Sequence, residues 1–467
     1  MDNLFVEACE NGSIDSVKFL LNNYKINVHF VREEGFYNAC ATGHIDIVKY
    51  ILEDSIINND YLYMNIIGYK SFLVSCKKGF LDIIKYLLNF TFVHDYKINI
   101  HASEEYAFQQ ACYNNRYDVV EYLLNYCDTH NDKINIHIND EIIFKTLCKN
   151  GQFKMVTFLL DYSEKNNDLI NIHAGNECGF INACKYGHLQ IAKFLLKFSE
   201  IIKSIIDIHV DNERSFRYAC YKGHTDIVYF LLQCGEINNS PIDIHASDKY
   251  YCDTQEDAFC LACYSNQIDI ATVLLDYSIR INSPINIHAN NDIAYVNACN
   301  NGCSDIVSLL LTYSSKINSP INIHIYDDIT FINACKNQSY IIIEELLKYS
   351  ITHNILFDIN IVREQLHNIS IFYWACVYSN ETLIKYLLDY CNQTNQLIDM
   401  HAHNEFIFRL ICITGRLNII KFLLKYCNDI SSPINIHVDN DIIFKCAYEN
   451  NHLNVAEYLF EYDKIKK

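Results

Sequence analysis

Apolar and polar positions along residues 285–320 change rhythm three times. Ile285, Asn286, Ile287 and His288 alternate, which predicts a short extended segment. Asn290-Asn291-Asp292 is turn chemistry. Tyr295, Ala298 and Cys299 then fall at i, i+3 and i+4, one face of a short helix. Asn301-Gly302 ends that helix. Asp305 opens a second, whose apolar stripe is Ile306, Val307, Leu309, Leu310 and Leu311. Asn318-Ser319-Pro320 closes the unit, because Pro cannot continue a helix. All four prolines of the chain, Pro241, Pro284, Pro320 and Pro433, hold this one position.

The unit recurs. An aromatic residue stands four places before one cysteine position thirteen times: Phe5, Phe36, Phe72, Phe108, Phe144, Phe180, Phe216, Phe259, Tyr295, Phe331, Phe372, Phe408 and Phe444. From Phe72 to Phe216 the step is always 36 residues. A fixed period of this size predicts a solenoid, since one repeat cannot bury its own apolar face. The expectation is an all-α solenoid over 1–467, with short β-hairpin fingers and repeats at about 1–25, 26–63, 64–97, 98–133, 134–169, 170–205, 206–241, 242–284, 285–320, 321–358, 359–397, 398–433 and 434–467. An acid seven places before the cysteine position, as at Glu105, Glu141, Glu177 and Asp292, reads as a cap on the first helix through its dipole and orphan N–H groups. Extra residues near Lys249–Gln255 and within Arg363–Ser370, and the long loop Glu53–Tyr63, read as tolerant loops before they read as binding insertions.

At this point the unit resembles the ankyrin repeat. Ala39-Cys40-Ala41-Thr42-Gly43-His44-Ile45-Asp46-Ile47-Val48 and Ala219-Cys220-Tyr221-Lys222-Gly223-His224-Thr225-Asp226-Ile227-Val228 match that family's Ala-Ala-x-x-Gly-His-x-x-Ile-Val core. Leu123-Leu124 and Leu231-Leu232 match its second helix. The family's Thr-Pro-Leu-His opening is absent, and the period is longer than its usual 33. The Ile-Asn-Ile-His flavour is similar to the multi-copy ankyrin families of giant DNA viruses of amoebae.

Composition narrows the function. A net charge of −19 argues against nucleic acid and anionic membrane as partners, both of which need clustered Lys and Arg. Heavy Asn and Tyr usage reads largely as drift in an A- and T-rich coding sequence. Of 21 cysteines, twelve hold the repeat position, from Cys9 to Cys412, which suits small buried apolar residues and reduced thiols in the cytoplasm. The opening Met-Asp-Asn-Leu-Phe-Val-Glu lacks the regions of a signal peptide, and no apolar run is long enough to span a bilayer. His245, Cys252, Cys260 and Cys263 include zinc-like spacing, but Cys263 belongs to the core series and His245 to the finger series, so no metal site is assigned. Ten finger histidines, at 29, 101, 137, 173, 209, 245, 288, 324, 401 and 437, read as partly buried, hydrogen-bonded imidazoles with depressed pKa values. No phosphate loop, nucleophile elbow or zincin helix occurs, so no enzyme, cofactor or small-molecule substrate is expected.

The resemblance implies a non-catalytic protein-binding scaffold working through its concave face, in host cytoplasm if viral. The family's groove-facing pair falls just after the cysteine position. Candidate protein-binding residues are therefore Tyr113, Lys149, Lys185, Tyr186, Tyr221, Lys222, Tyr264, Lys336 and Tyr378. Only Glu10 and Glu449 are acidic at these positions, so positive charge and aromatic anchors, rimmed by acidic fingers, fit an acidic or aromatic protein segment. The family also suggests an alternative, a substrate or decoy of a cytosolic asparaginyl hydroxylase acting on Asn99, Asn135, Asn171, Asn286, Asn322 and Asn435.

Overall fold

A computed structural model of the chain describes residues 2–24, 30–57, 67–93, 98–247, 257–359, 371–378, 381–396 and 398–466. Twenty-six helices alternate along these residues in pairs. Two compact units are formed, Met1–Ala219 with Asp226–Ile242, and Cys220–Thr225 with Asp243–Lys467.

Within the first unit, the first helix of each pair packs on the first helix of the next. The series runs Asp2–Glu10, Phe30–Thr42, Ile67–Lys78, Ala102–Tyr113, Ile138–Asn150 and Ala174–Lys185. The second helices Ile14–Asn23, Ile45–Ile57 and Leu81–Val93 make a parallel layer. In the second unit the same layers run from Ala258–Tyr264 to Val438–Glu449 and from Ile268–Arg280 to Leu417–Asp429. The aromatic and cysteine rows fill the space between layers. Phe5, Phe108, Phe180, Tyr295 and Phe331 are wholly buried, as are Cys112, Cys184 and Cys335. Each such aromatic side chain contributes roughly 1.5–3 kcal/mol by leaving water. Phe444 alone in its row is half-buried. Burial pushes the thiols of Cys9 and Cys299 up to about 12, so the row is chemically quiet as well as apolar.

The turn between paired helices requires a left-handed residue. Gly151 sits at φ +72°, and a Cβ there would lie 2.5 Å from the His188 ring. Glycine is needed twice over, for backbone freedom and for the side chain that the following pair lays across it. Asn115, Asn266 and Asn451 take the same turn at φ 58°, 58° and 60° where glycine is missing. After the second helix another left-handed residue, such as Asn131, Asn167 or Asn318, lets the next N–H return to the helix. Asp132 N–H donates to Cys127 O at 2.9 Å, and Asp168 N–H to Ser163 O at 2.9 Å, a helix-closing pattern that favours Gly or Asn. The reading of Asn as codon drift does not extend to these turn positions. Among the described residues, half of the non-glycine residues with positive φ are Asn, because its short amide tolerates that region.

The expected β-hairpin fingers are also corrected. No strand occurs among the described residues, and an isolated bridge joins Ser247 to Asp257. Where a finger is fully described, it is instead two opposed turns. Ala102 N–H donates to Asn99 O at 3.2 Å, and Ser103, Glu104 and Glu105 then run left-handed at φ 54°, 56° and 59°. Glu105 N–H closes that left-handed turn on His101 O at 3.3 Å. The pattern recurs at 139–141, 211–213 and 290–292. The extended part is too short to pair as a strand, because its two isoleucines, as Ile134 and Ile136, are drawn into the core.

Candidate protein-binding face

The left-handed turns would cost roughly 1–2 kcal/mol per residue unless something held them. A buried carboxylate does so. Glu105 is 5 % exposed. Its Oε1 accepts from His101 Nδ1 at 2.7 Å and from the Asn135 N–H of the next finger at 3.1 Å. Glu141 does the same with His137 and Asn171, Glu177 with His173 and Asp207, and Glu405 with His401 and Asn435. At Glu105, Glu141, Glu177 and Glu405 the recurring acid therefore bonds beyond its own helix and does not act only as its cap. It is a buckle between one finger and the next.

At His101, His137 and His437 the direction of the expected histidine shift is reversed. Burial lowers the pKa of His101, but the hydrogen bond and charge of Glu105, joined by Asp132 at 3.1 Å, raise it above the ordinary value overall. His137 is raised in the same way by Glu141 and Asp168, and His437 by Asp441 and Asp463. The imidazoles of His101 and His137 are half-buried and hydrogen-bonded as expected, but their acidic partners favour the charged form. His29 and Cys252 lie outside the described residues, as do the insertions near Lys249–Gln255 and Arg363–Ser370. Of the remaining zinc-spaced set, His245 Nε2 bonds Ser283 Oγ at 2.9 Å while Cys260 and Cys263 are buried in the core. The six finger asparagines are exposed, and Oδ1 accepts from the N–H two residues on, as in Asn99 to His101 at 3.0 Å. That amide oxygen shapes the turn.

The nine candidate residues lie at the C-terminal ends of first helices, and none is buried. Lys there complements the negative end of the helix dipole. In the first unit they join a cation–aromatic strip. Lys149 Nζ and Lys185 Nζ each lie 5.6 Å from the Tyr186 ring centroid, and Lys185 lies 4.3 Å from that of Tyr218. Arg214 packs on the other partner, 5.5 Å from the Tyr218 ring, and pairs with Asp211 at 3.1 Å. The sequence reading missed Arg214 and Tyr218. Their i,i+4 spacing on the next first helix was the available signal. Tyr113 stands apart, donating to Gln109 Oε1 at 3.3 Å, with its phenol pushed up by burial.

In the second unit the same positions carry other chemistry. Lys222 Nζ lies 4.7 Å over the Tyr221 ring, and Tyr264 is exposed. Asn301 Nδ2 donates to Tyr264 O at 3.1 Å, Asn333 Nδ2 to Asn300 Oδ1 at 2.9 Å, and Asn337 Nδ2 to Asn300 O at 3.2 Å, an amide ladder. Lys336 Nζ then lies 4.2 Å over Trp374, which stacks on Tyr378. The expected acidic rim is corrected in part, since the finger acids Glu105, Glu141, Glu177 and Asp292 are buried.

No described helix is long and apolar enough to cross a membrane. Among the described residues no cluster of three or more potential ligands could hold a metal ion. Paired helices stacked in two layers, glycine-histidine interlocks and an open row of first-helix ends define a helical repeat protein built for interaction. The ankyrin-repeat family model matches residues 5–91, 108–201, 144–241 and 218–321, more than half of the chain, and the chain belongs to that family. Ankyrin repeats mediate protein–protein interaction, and proteins built from them are generally non-catalytic scaffolds. No curated protein matches the chain.

Proposed function

We propose that the chain is a non-catalytic scaffold that holds a protein partner against the exposed ends of its first helices. The observation that supports this is that none of the nine candidate residues is buried, and five of them are exposed, in a chain whose neighbouring helix positions are buried. Lys and Tyr at these ends offer amphipathic contact area and charge, the composition of interface anchors. The free, buried thiols support a reducing, cytoplasmic setting. Under the likeness to giant-virus repeat sets, the partner is a host protein.

The test is affinity capture with the full chain, followed by titration of the recovered partner against Tyr186→Ala and Tyr264→Ala. Loss of affinity with an unchanged circular dichroism spectrum supports the reading. Unchanged affinity in both variants moves the binding face elsewhere. Intact mass after incubation with an asparaginyl hydroxylase separates the decoy alternative, which requires added oxygen on the chain.

A further inference from the structure

We infer that the strip formed by Lys149, Tyr186, Lys185, Tyr218 and Arg214 in the first unit takes an acidic, extended protein segment through its carboxylates, not an aromatic side chain. The inference rests on the scaffold reading above and narrows it to one occupant and one unit.

The rings decide between the two occupants. Tyr186 already has ammonium groups of Lys149 and Lys185 at 5.6 Å, and Tyr218 has Lys185 at 4.3 Å and Arg214 at 5.5 Å. An incoming aromatic side chain would have to displace a cation from a ring. At Lys149 a carboxylate need displace nothing, because an ammonium over a ring keeps N–H donors for a further acceptor. The rings also hold the long lysine side chains in place, which lowers the ordering cost of forming an ion pair on binding.

Charge points the same way. Among the described residues no carboxylate lies in ion-pair range of Lys149, whose side chain is exposed. Asp211 is the acid already on the strip, and it meets Arg214 at 3.1 Å. Positive charge gathered here, within a chain of −19, complements a short acidic segment. The same net charge repels a long polyanion such as nucleic acid, whose phosphates continue beyond the strip. In the second unit Lys336 lies over Trp374, but the helix ends before it carry amides instead of cations, with Asn333 and Asn337 both donating to Asn300.

Fluorescence anisotropy on the full chain tests this. The probes are a labelled peptide alternating Glu and Gly, the same peptide with Gln for Glu, and a single-stranded oligonucleotide of equal length. We expect the Glu peptide to bind at least about tenfold tighter than the Gln peptide at low salt, with the gap closing as salt screens the charges. Lys149→Gln with Lys185→Gln should remove the gap, Lys149→Arg with Lys185→Arg should keep it, and Asn333→Ala in the second unit should leave it unchanged. Equal binding of the two peptides, no binding of either, preference for the oligonucleotide, or a gap that survives the double Gln variant would each overturn the inference. If the peptide fails while the captured partner remains sensitive to Tyr186→Ala, the acidic reading falls and the scaffold reading stands. If both fail, both fall.

Discussion

The two units end their first helices on different chemistry while burying the same core. In the first unit Lys149, Lys185 and Arg214 alternate with the rings of Tyr186 and Tyr218. In the second, Asn300, Asn301, Asn333 and Asn337 tie together the ends of Ala258–Tyr264, Ala289–Asn300 and Ile325–Lys336, and Lys336 then lies over Trp374. Lys149 has no carboxylate in ion-pair range among the described residues, whereas the amides of Asn301, Asn333 and Asn337 donate to neighbouring helix ends. A repeat protein can therefore hold its fold constant and write different surfaces on it, because the exposed ends contribute little to the stack.

The comparison fails first if the cores are not equivalent. Phe144→Ala in the first unit and Phe331→Ala in the second should each cost about 3–5 kcal/mol by denaturant titration, through lost transfer energy and a cavity. Phe444→Ala, at a half-buried site, should cost clearly less. A large difference between Phe144 and Phe331 would mean that the units differ in more than surface.

The turns sharpen the comparison at a smaller scale. Gly151→Ala places a Cβ against the His188 ring in a left-handed backbone and should cost about 1–2 kcal/mol or more. Asn266→Ala in the second unit meets only the backbone penalty and should cost about 1 kcal/mol. Equal losses would show that the interlocking ring is not a constraint. Smaller still are the surface ladders. Lys149→Gln and Asn333→Ala should each change stability by less than about 1 kcal/mol in a urea titration, since exposed cation–π contacts and exposed hydrogen bonds are weak. A greater loss in either would make that ladder structural.

The weakest effect is electrostatic. His101 and His137 have folded pKa values raised above the unfolded value of about 6.5. Their pairs with Glu105 and Glu141 contribute fully below that value, and the contribution is lost as pH rises through the raised one. The melting temperature should fall slightly from about pH 6 to about pH 8, and less so in His101→Asn with His137→Asn. A rise over that window, corrected against the double variant, would restore the depressed histidines expected from sequence.

Much of this was legible in the residues. The rows from Phe5 to Phe408 and from Cys9 to Cys412 mark the core, and Gly151 marks a turn, because burial and positive φ select residue types directly. Three things were not legible. Glu105 in a left-handed turn breaks its own preference, and the reason is a hydrogen bond to Asn135 thirty residues away. The titration of His101 depends on Glu105 and Asp132, which burial alone does not reveal. The strip around Tyr218 crosses three helices, so no single repeat displays it.

The donor that each buckle takes from its neighbour is a backbone N–H. Asn135, Asn171, Asp207 and Asn435 all supply it, whatever their side chains. Any repeat can follow any other at this junction, provided the step between acid and amide stays at thirty residues. Duplication or shuffling of whole units leaves the junction intact, while a partial deletion strands a carboxylate in the core without its partner. The order of repeats is free to vary and their phase is not.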